Sequence, residues 1–266
     1  MSASRFRLLD QISLALERGN GEATQRVSGQ TIEGLGPVIE AVILGRTVPG
    51  AKSILPLCAL KEIVGAVKSA KHDPLRVVCK EKGATSWGVL MLTKASRDDW
   101  VPPLHSLLFT VQKSLNFSRK TSRARQQICG AVEEMVDNIY EHSEAPDTGV
   151  VAFYGSANHV EVSVGDAGIG VLSSLRSNPK FSYLRDTGTA MAEALKDGNS
   201  RYGPGEDRGY GFGTLFRALN SLDAELRFRS GDYALEISGR SPSDRNPRIS
   251  QKGELRGFVV CLQIAL

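Results

Sequence analysis

An α+β sandwich, with helices on one face of a mixed sheet, is the fold class this sequence predicts. Three observations predict it. Residues 5–18 and 51–70 repeat apolar side chains at helical spacing, whereas residues 75–79 and 86–93 change to strand-like runs. After residue 125 the order is helix, two strands, a long irregular segment, helix, then three strands, which suits helices layered on a sheet. The 266 residues, 41% hydrophobic and 23% charged, supply a sizeable core and exclude a disordered or fibrous chain.

The first helix rests on Phe6, Leu8, Leu9, Ile12, Leu14 and Leu16, and Gly19 ends it. Residues 22–45 carry apolar side chains at helical spacing, but Gly34, Gly36 and Pro37 interrupt them. Ile54, Leu57, Leu60, Ile63, Val64 and Val67 predict a helix over 51–70. Asp98 and Asp99, followed by Pro102 and Pro103, mark a break that opens a helix over 104–115. Residues 118–125 are basic and polar, as in a linker or an exposed helix start. Residues 126–142 read as a long helix. Residues 150–154 and 160–164 read as a hairpin turning through Gly155 to Asn158. Residues 171–208 are irregular, with a helical piece at 189–195. Residues 212–222 read as a helix, and 224–229, 233–238 and 257–266 as strands, with a polar loop over 239–253.

Bulk properties narrow the function classes. A formal charge of +4 permits a basic patch without predicting nucleic-acid binding. Arg119, Lys120, Arg123 and Arg125 read as a solvated face, because Phe117 is the one aromatic residue beside them. No apolar run reaches the roughly 18–20 residues that span a bilayer, so no membrane partner is expected. The N-terminus has no signal-peptide core, and the four cysteines contain no Cys-x-x-Cys pair, so reduced thiols and a cytoplasmic location are expected. His72, His105, His142 and His159 share no metal-binding spacing.

Three clusters carry candidate chemistry. In Glu134-Met-Val-Asp-Asn138 the carboxylate and carboxamide lie four apart on one helix face. That pair suits an oxygen-seeking cation and an attacking water; the alternative is a solvated face shared with Glu133, Asp137 and Glu141. In Asp166-Ala-Gly168-Ile-Gly170 a strand runs into an acid and two glycines. The acid can accept from an exocyclic amine and the glycines admit close backbone approach; the alternative is a plain strand-ending turn. In Gly209-Tyr-Gly211-Phe-Gly213 glycines precede a helix, where backbone N–H groups can face phosphate oxygens; the alternative is a flexible turn. The GxGxG spacing does not match a dinucleotide fingerprint.

In this order the clusters resemble the GHKL superfamily of ATP-binding domains, and within it the histidine-kinase-like ATPases of bacterial anti-sigma factors. The resemblance covers residues from about 120 to 266. It implies a Bergerat fold over 118–266, with an ATP lid at about 171–208, and leaves 1–117 as a small α/β regulatory or partner-binding module. It implies ATP and Mg²⁺ as cofactors. Glu134 would be the general base and Asn138 the Mg²⁺ ligand. Asp166 would take the adenine amine, Gly168 and Gly170 would shape its pocket, and Gly209, Gly211 and Gly213 would close over the phosphates. Arg201 and Arg208, in or beside the lid, could add positive charge there, the alternative being ordinary surface arginines. Two positions depart from the pattern. Glu141 stands where the family often has a basic residue, and Arg256-Gly257-Phe258 offers Gly without the Thr that often follows.

The expected function is slow, Mg²⁺-dependent ATP hydrolysis whose nucleotide state controls a protein partner, such as an antagonist or regulator encoded nearby. A protein serine/threonine kinase of the anti-sigma type, or a nucleotide sensor without turnover, is the alternative. A homodimer is also allowed.

Overall fold

A six-stranded sheet, with helices packed on each face, organises the chain. The computed structural model describes residues 2–18, 30–114, 122–195, 224–237 and 247–266. Helix α1 (Ser2–Glu17) is followed by α2 (Leu35–Thr47), a 3₁₀ segment (Ala51–Leu57) and α3 (Lys61–Ala70). The hairpin β1 (Val78–Lys82) and β2 (Thr85–Met91) leads to α4 (Arg97–Ser114) and α5 (Ser122–His142). Then come β3 (Val150–Gly155), β4 (His159–Asp166), α6 (Gly170–Arg176), α7 (Thr187–Ala194), β5 (Ala224–Ile237) and β6 (Arg248–Ala265).

Strand order is β1-β2-β3-β4-β6-β5, and every neighbouring pair is antiparallel. The mixed sheet expected from the sequence is therefore corrected to an antiparallel one among the described strands. The helices are also not confined to one face. Val151 and Phe153 of β3 pack with α4 and α5, while Val150 and Ala152 pack with α1, α2 and α3. Strands buried on both sides read as continuous apolar runs, as Val150-Val-Ala-Phe153 does, and both of their faces need cover. The result is three layers, helix on sheet on helix. Residues 86–91 pair directly with 150–155, so the sheet joins strands from either side of the boundary expected at 117/118.

Local chemistry explains the element boundaries. The expected helix over 51–70 is divided, because Pro56 supplies no N–H; a 3₁₀ segment ends at Leu57 and α3 starts at Lys61. Helix α4 starts at Arg97, seven residues earlier than expected, since Pro102 and Pro103 sit within its first two turns. Asp99 secures that start by accepting from Ser96 N–H at 3.2 Å and Ser96 Oγ at 2.6 Å. The expected strands at 224–229 and 233–238 are one strand with a bulge at Ser230–Gly231. Part of the polar loop expected at 239–253 belongs to β6. No helix among the described residues is long and apolar enough to cross a membrane.

Two buried carboxylates fasten α1 and α2 to the sheet. Glu161 of β4, 2% exposed, accepts from Leu35 N–H at 2.9 Å and Gly36 N–H at 3.4 Å, so a strand side chain satisfies the free donors of α2's first turn. Arg5 of α1 donates to the same carboxylate at 3.1 Å. Glu40 of α2 accepts from Arg227 Nε at 3.2 Å and from Arg229 Nε at 3.0 Å. Arg227 also donates to Glu236 at 2.6 Å, pairs with Asp10 of α1 and stacks 4.2 Å from the Phe6 ring centroid. All three core members, Glu40, Arg227 and Arg229, are at most 2% exposed.

Burial opposes ionisation of Glu40, but Arg227 and Arg229 outweigh it and hold its carboxyl below the ordinary carboxylate range. A lowered native value adds stability at neutral pH that is lost as pH falls below the ordinary value of 4.5. Glu40→Gln leaves two buried guanidiniums short of a counter-charge and should cost about 3–5 kcal/mol in urea denaturation at pH 7. The gap to wild type should narrow as the pH of the denaturation series drops from 7 toward 3. A gap that stays constant would assign the loss to packing.

Candidate functional site

Among the described residues, the turn after β4 carries a predicted site residue and is closely constrained by its neighbours. In β4, Val160, Val162 and Val164 face α4 and α5, so Asp166, next in the same alternation, projects from that face. It is fully buried. Its Oδ1 accepts from Gly168 N–H at 2.6 Å, whereas Oδ2 is buried with no hydrogen-bond partner among the described residues. Burial pushes the carboxyl up to about 7, against the opposing effect of the Gly168 N–H.

The turn closes against the C-terminal end of α5. Ile169 N–H donates to Ser143 O at 3.0 Å, and Ser143 N–H donates to Ile139 O at 3.2 Å. A side chain at Gly168 would collide with the carbonyl of Ser143, so glycine is needed there for the protein's own packing. Gly170 has φ +75°, and a Cβ on it would lie 2.8 Å from Ser230 Oγ. Ser230 Oγ accepts from Val171 N–H at 3.1 Å and donates to Gly257 O at 2.7 Å. The bulge of β5 therefore holds the start of α6, and both glycines act first by letting α5, β5 and β6 converge on one turn.

Helix α5 sorts its acids by face. Asp137 pairs with Arg97 and Glu133 with His105, both across to α4. Arg97 also lies 5.2 Å from the Trp100 ring centroid, and Trp100 stacks on Tyr140 at 4.9 Å. Glu134 and Asn138 each lie one residue, about 100°, round the helix from Glu133 and Asp137, and with Glu141 they are half-buried. Part of the acidic face offered as the solvated alternative is thus a helix–helix contact. Asn138 lies about 7–8 Å along the helix from Ser143, which grips the Asp166 turn.

A cleft of about 410 Å³ opens beyond the turn, lined by Gly170, Val171, Arg185, Thr187, Ser230 and Glu254, among others. Among the described residues lining it, Arg185 is the one cation, against Asp186, Asp232 and Glu254. The first part of the stretch expected as an irregular lid is ordered: α6, a 3₁₀ turn and α7 enclose Leu175, Phe181, Leu184 and Ala190. Arg208, Gly209, Gly211 and Gly213, with the remainder of that stretch and the helix expected at 212–222, lie outside the described residues. No group of three or more metal-ligating His, Cys, Asp or Glu side chains occurs among the described residues.

The sequence carries no signal for Ser230, although it shapes the turn, and it marks Gly257 only as the glycine near the last strand, not for this packing. Neither protein-family models nor curated proteins give a match to this chain.

A pair of glycine substitutions separates packing from backbone freedom. Gly168→Ala should destabilise the fold by about 1–3 kcal/mol or more, because the added methyl meets Ser143. Gly65→Ala, on an exposed helix position with open space around it, should be neutral or stabilising by up to about 1 kcal/mol. Thermal denaturation of the two variants checks both. Equal effects would mean that the turn does not press on α5.

Proposed function

We propose that this chain binds ATP with Mg²⁺, hydrolyses it slowly and uses its nucleotide state to control a protein partner in the cytoplasm. The supporting observation is the buried, unpartnered Oδ2 of Asp166. A buried acceptor without a donor is costly, and the cost is relieved by a ligand that brings an N–H. The exocyclic amine of adenine is such a donor. Asp166 also faces the layer that contains α5, which carries Glu134 and Asn138.

The described residues fit the nucleoside end of that ligand through one orphaned acceptor. They fit the metal end through an amide and a carboxylate one helical turn apart. With no cluster of acidic ligands among the described residues, Mg²⁺ would be held by Asn138, phosphates and waters, as suits an ion that keeps much of its hydration. The ion, when bound, supplies charge neutralisation at the phosphate oxygens. Glu134 orients the attacking water and takes its proton. Asp166 fixes the base. Gly209, Gly211 and Gly213 are assigned to the phosphates by the GHKL resemblance alone, and Arg208 by its charge beside them. Helices α1 and α2, fastened to the sheet by Glu40 and Glu161, are the part of residues 1–117 through which a partner would sense the site.

Isothermal titration with Mg²⁺ and a non-hydrolysable ATP analogue should show saturable binding. Asp166→Ala should weaken it by at least about tenfold, as expected for a hydrogen bond to a charged group. Unchanged affinity would refute the adenine assignment. Glu134→Ala should keep the affinity and lower the rate of phosphate release by about 10²–10⁴-fold. Equal rates would leave Glu134 as a helix-surface acid.

A further inference from the structure

The two oxygens of Asp166 are not equivalent. Oδ1 already accepts the Gly168 N–H at 2.6 Å, and Oδ2 is closed to solvent and meets no donor among the described residues. Opposite it on β6 stands Phe258, an apolar ring, where a hydroxyl could have donated. Among the described residues, the ionisable groups on the surrounding elements include Glu133, Glu134, Asp137, Tyr140, Glu141 and His142 of α5, Glu144 and Asp147 of the following loop, Arg176 of α6, Arg229 and Asp232 of β5, and Glu254 and Arg256 of β6. None of them offsets the burial of the carboxyl; only the Gly168 N–H does. A carboxylate with one buried, unpaired oxygen and no compensating cation among the described residues is unfavourable, and protonation at Oδ2 removes the charge.

We infer that Asp166 is a neutral carboxylic acid in the ligand-free protein and surrenders its Oδ2 proton to solvent when a ligand N–H takes that position. This rests on the ATP-binding reading above and adds a regulated step to it. The geometry sets the sign. A protonated Oδ2 and a ligand amine are both donors toward the same point, so they exclude each other. The amine is accepted once the proton has left, and the N–H then stabilises the carboxylate that burial alone disfavours. Binding of a donor ligand is therefore coupled to proton release. Affinity rises with pH until the free carboxyl is ionised, near pH 7, and is flat above it. A ligand that presents an acceptor at the same point would show the opposite trend.

Adenosine is the probe, because it offers the amine without phosphates that titrate in the same range. Titration calorimetry of the full chain at pH 6, 7 and 8, in buffers of different ionisation heat, counts the protons released. About one proton per adenosine is expected at pH 6, falling toward zero at pH 8, with affinity about tenfold weaker at pH 6 than at pH 8. Asp166→Asn, which cannot ionise, should bind with no such pH trend, and this separates Asp166 from His142. The free protein is tested independently by following the Asp166 carboxyl carbon by NMR. A midpoint well above 4 is expected, and a midpoint at or below 4 would overturn the inference. Binding without proton release, or binding that strengthens as pH falls, would overturn it while leaving the ATP-binding reading in place. Absence of adenosine binding at every pH would overturn both.

Discussion

The contact between Glu40 and Arg229 joins the two halves of this structure. Arg229 reaches Glu40 through Nε, while its other nitrogens donate to the carbonyls of Gly231, Tyr233 and Gly253. One guanidinium thereby ties helix α2 to the bulge of β5 and to the neighbouring stretch of β6. Buried ion pairs of this kind add little net stability over a well-packed apolar core, yet they tolerate few alternative arrangements. Fixing geometry is the role that suits this one. The bulge it holds presents Ser230, and Ser230 holds Val171 and Gly257 around the turn that carries Asp166.

A continuous chain of contacts therefore runs from one face of the sheet to the other. On the first face are α1 and α2, pinned by Glu40 and Glu161. On the second are α4 and α5, with Asp166 projecting toward them. The sheet residues between these layers are buried on both sides and have little room to give. Helix α2, the bulge and the turn are thus linked by successive hydrogen bonds. In the proposed function, this is the route by which the state of the nucleotide site reaches a partner on the α1/α2 face.

The elements legible in the sequence were those governed by local pattern. Helix α5 and the β3–β4 hairpin followed from apolar period and turn residues, and Asp166 at a strand end followed from the Asp-x-Gly pattern. What escaped depended on long-range partners. Glu40 is a lone acid in the apolar run Pro37-Val-Ile-Glu-Ala-Val-Ile-Leu44, and Arg227 and Arg229 lie two apart, on one face of a strand. Each is ordinary by itself, and their spacing of almost 190 residues hides the pairing. The sheet's second helical layer was missed for a similar reason, since nothing local shows that β2 pairs with β3. The glycine pattern at 166–170 was read as room for a ligand, whereas contacts with Ser143 and Ser230 fill much of that space.

Amide hydrogen exchange on wild type and Glu40→Gln, resolved at Gly168, Ile169 and Val171, tests most directly whether the buried ion network positions the site. If Arg229 transmits its hold through Ser230, these three amides should exchange faster in the variant while the β3 amides keep their protection. Faster exchange confined to α1 and α2, with the turn unchanged, would contradict it.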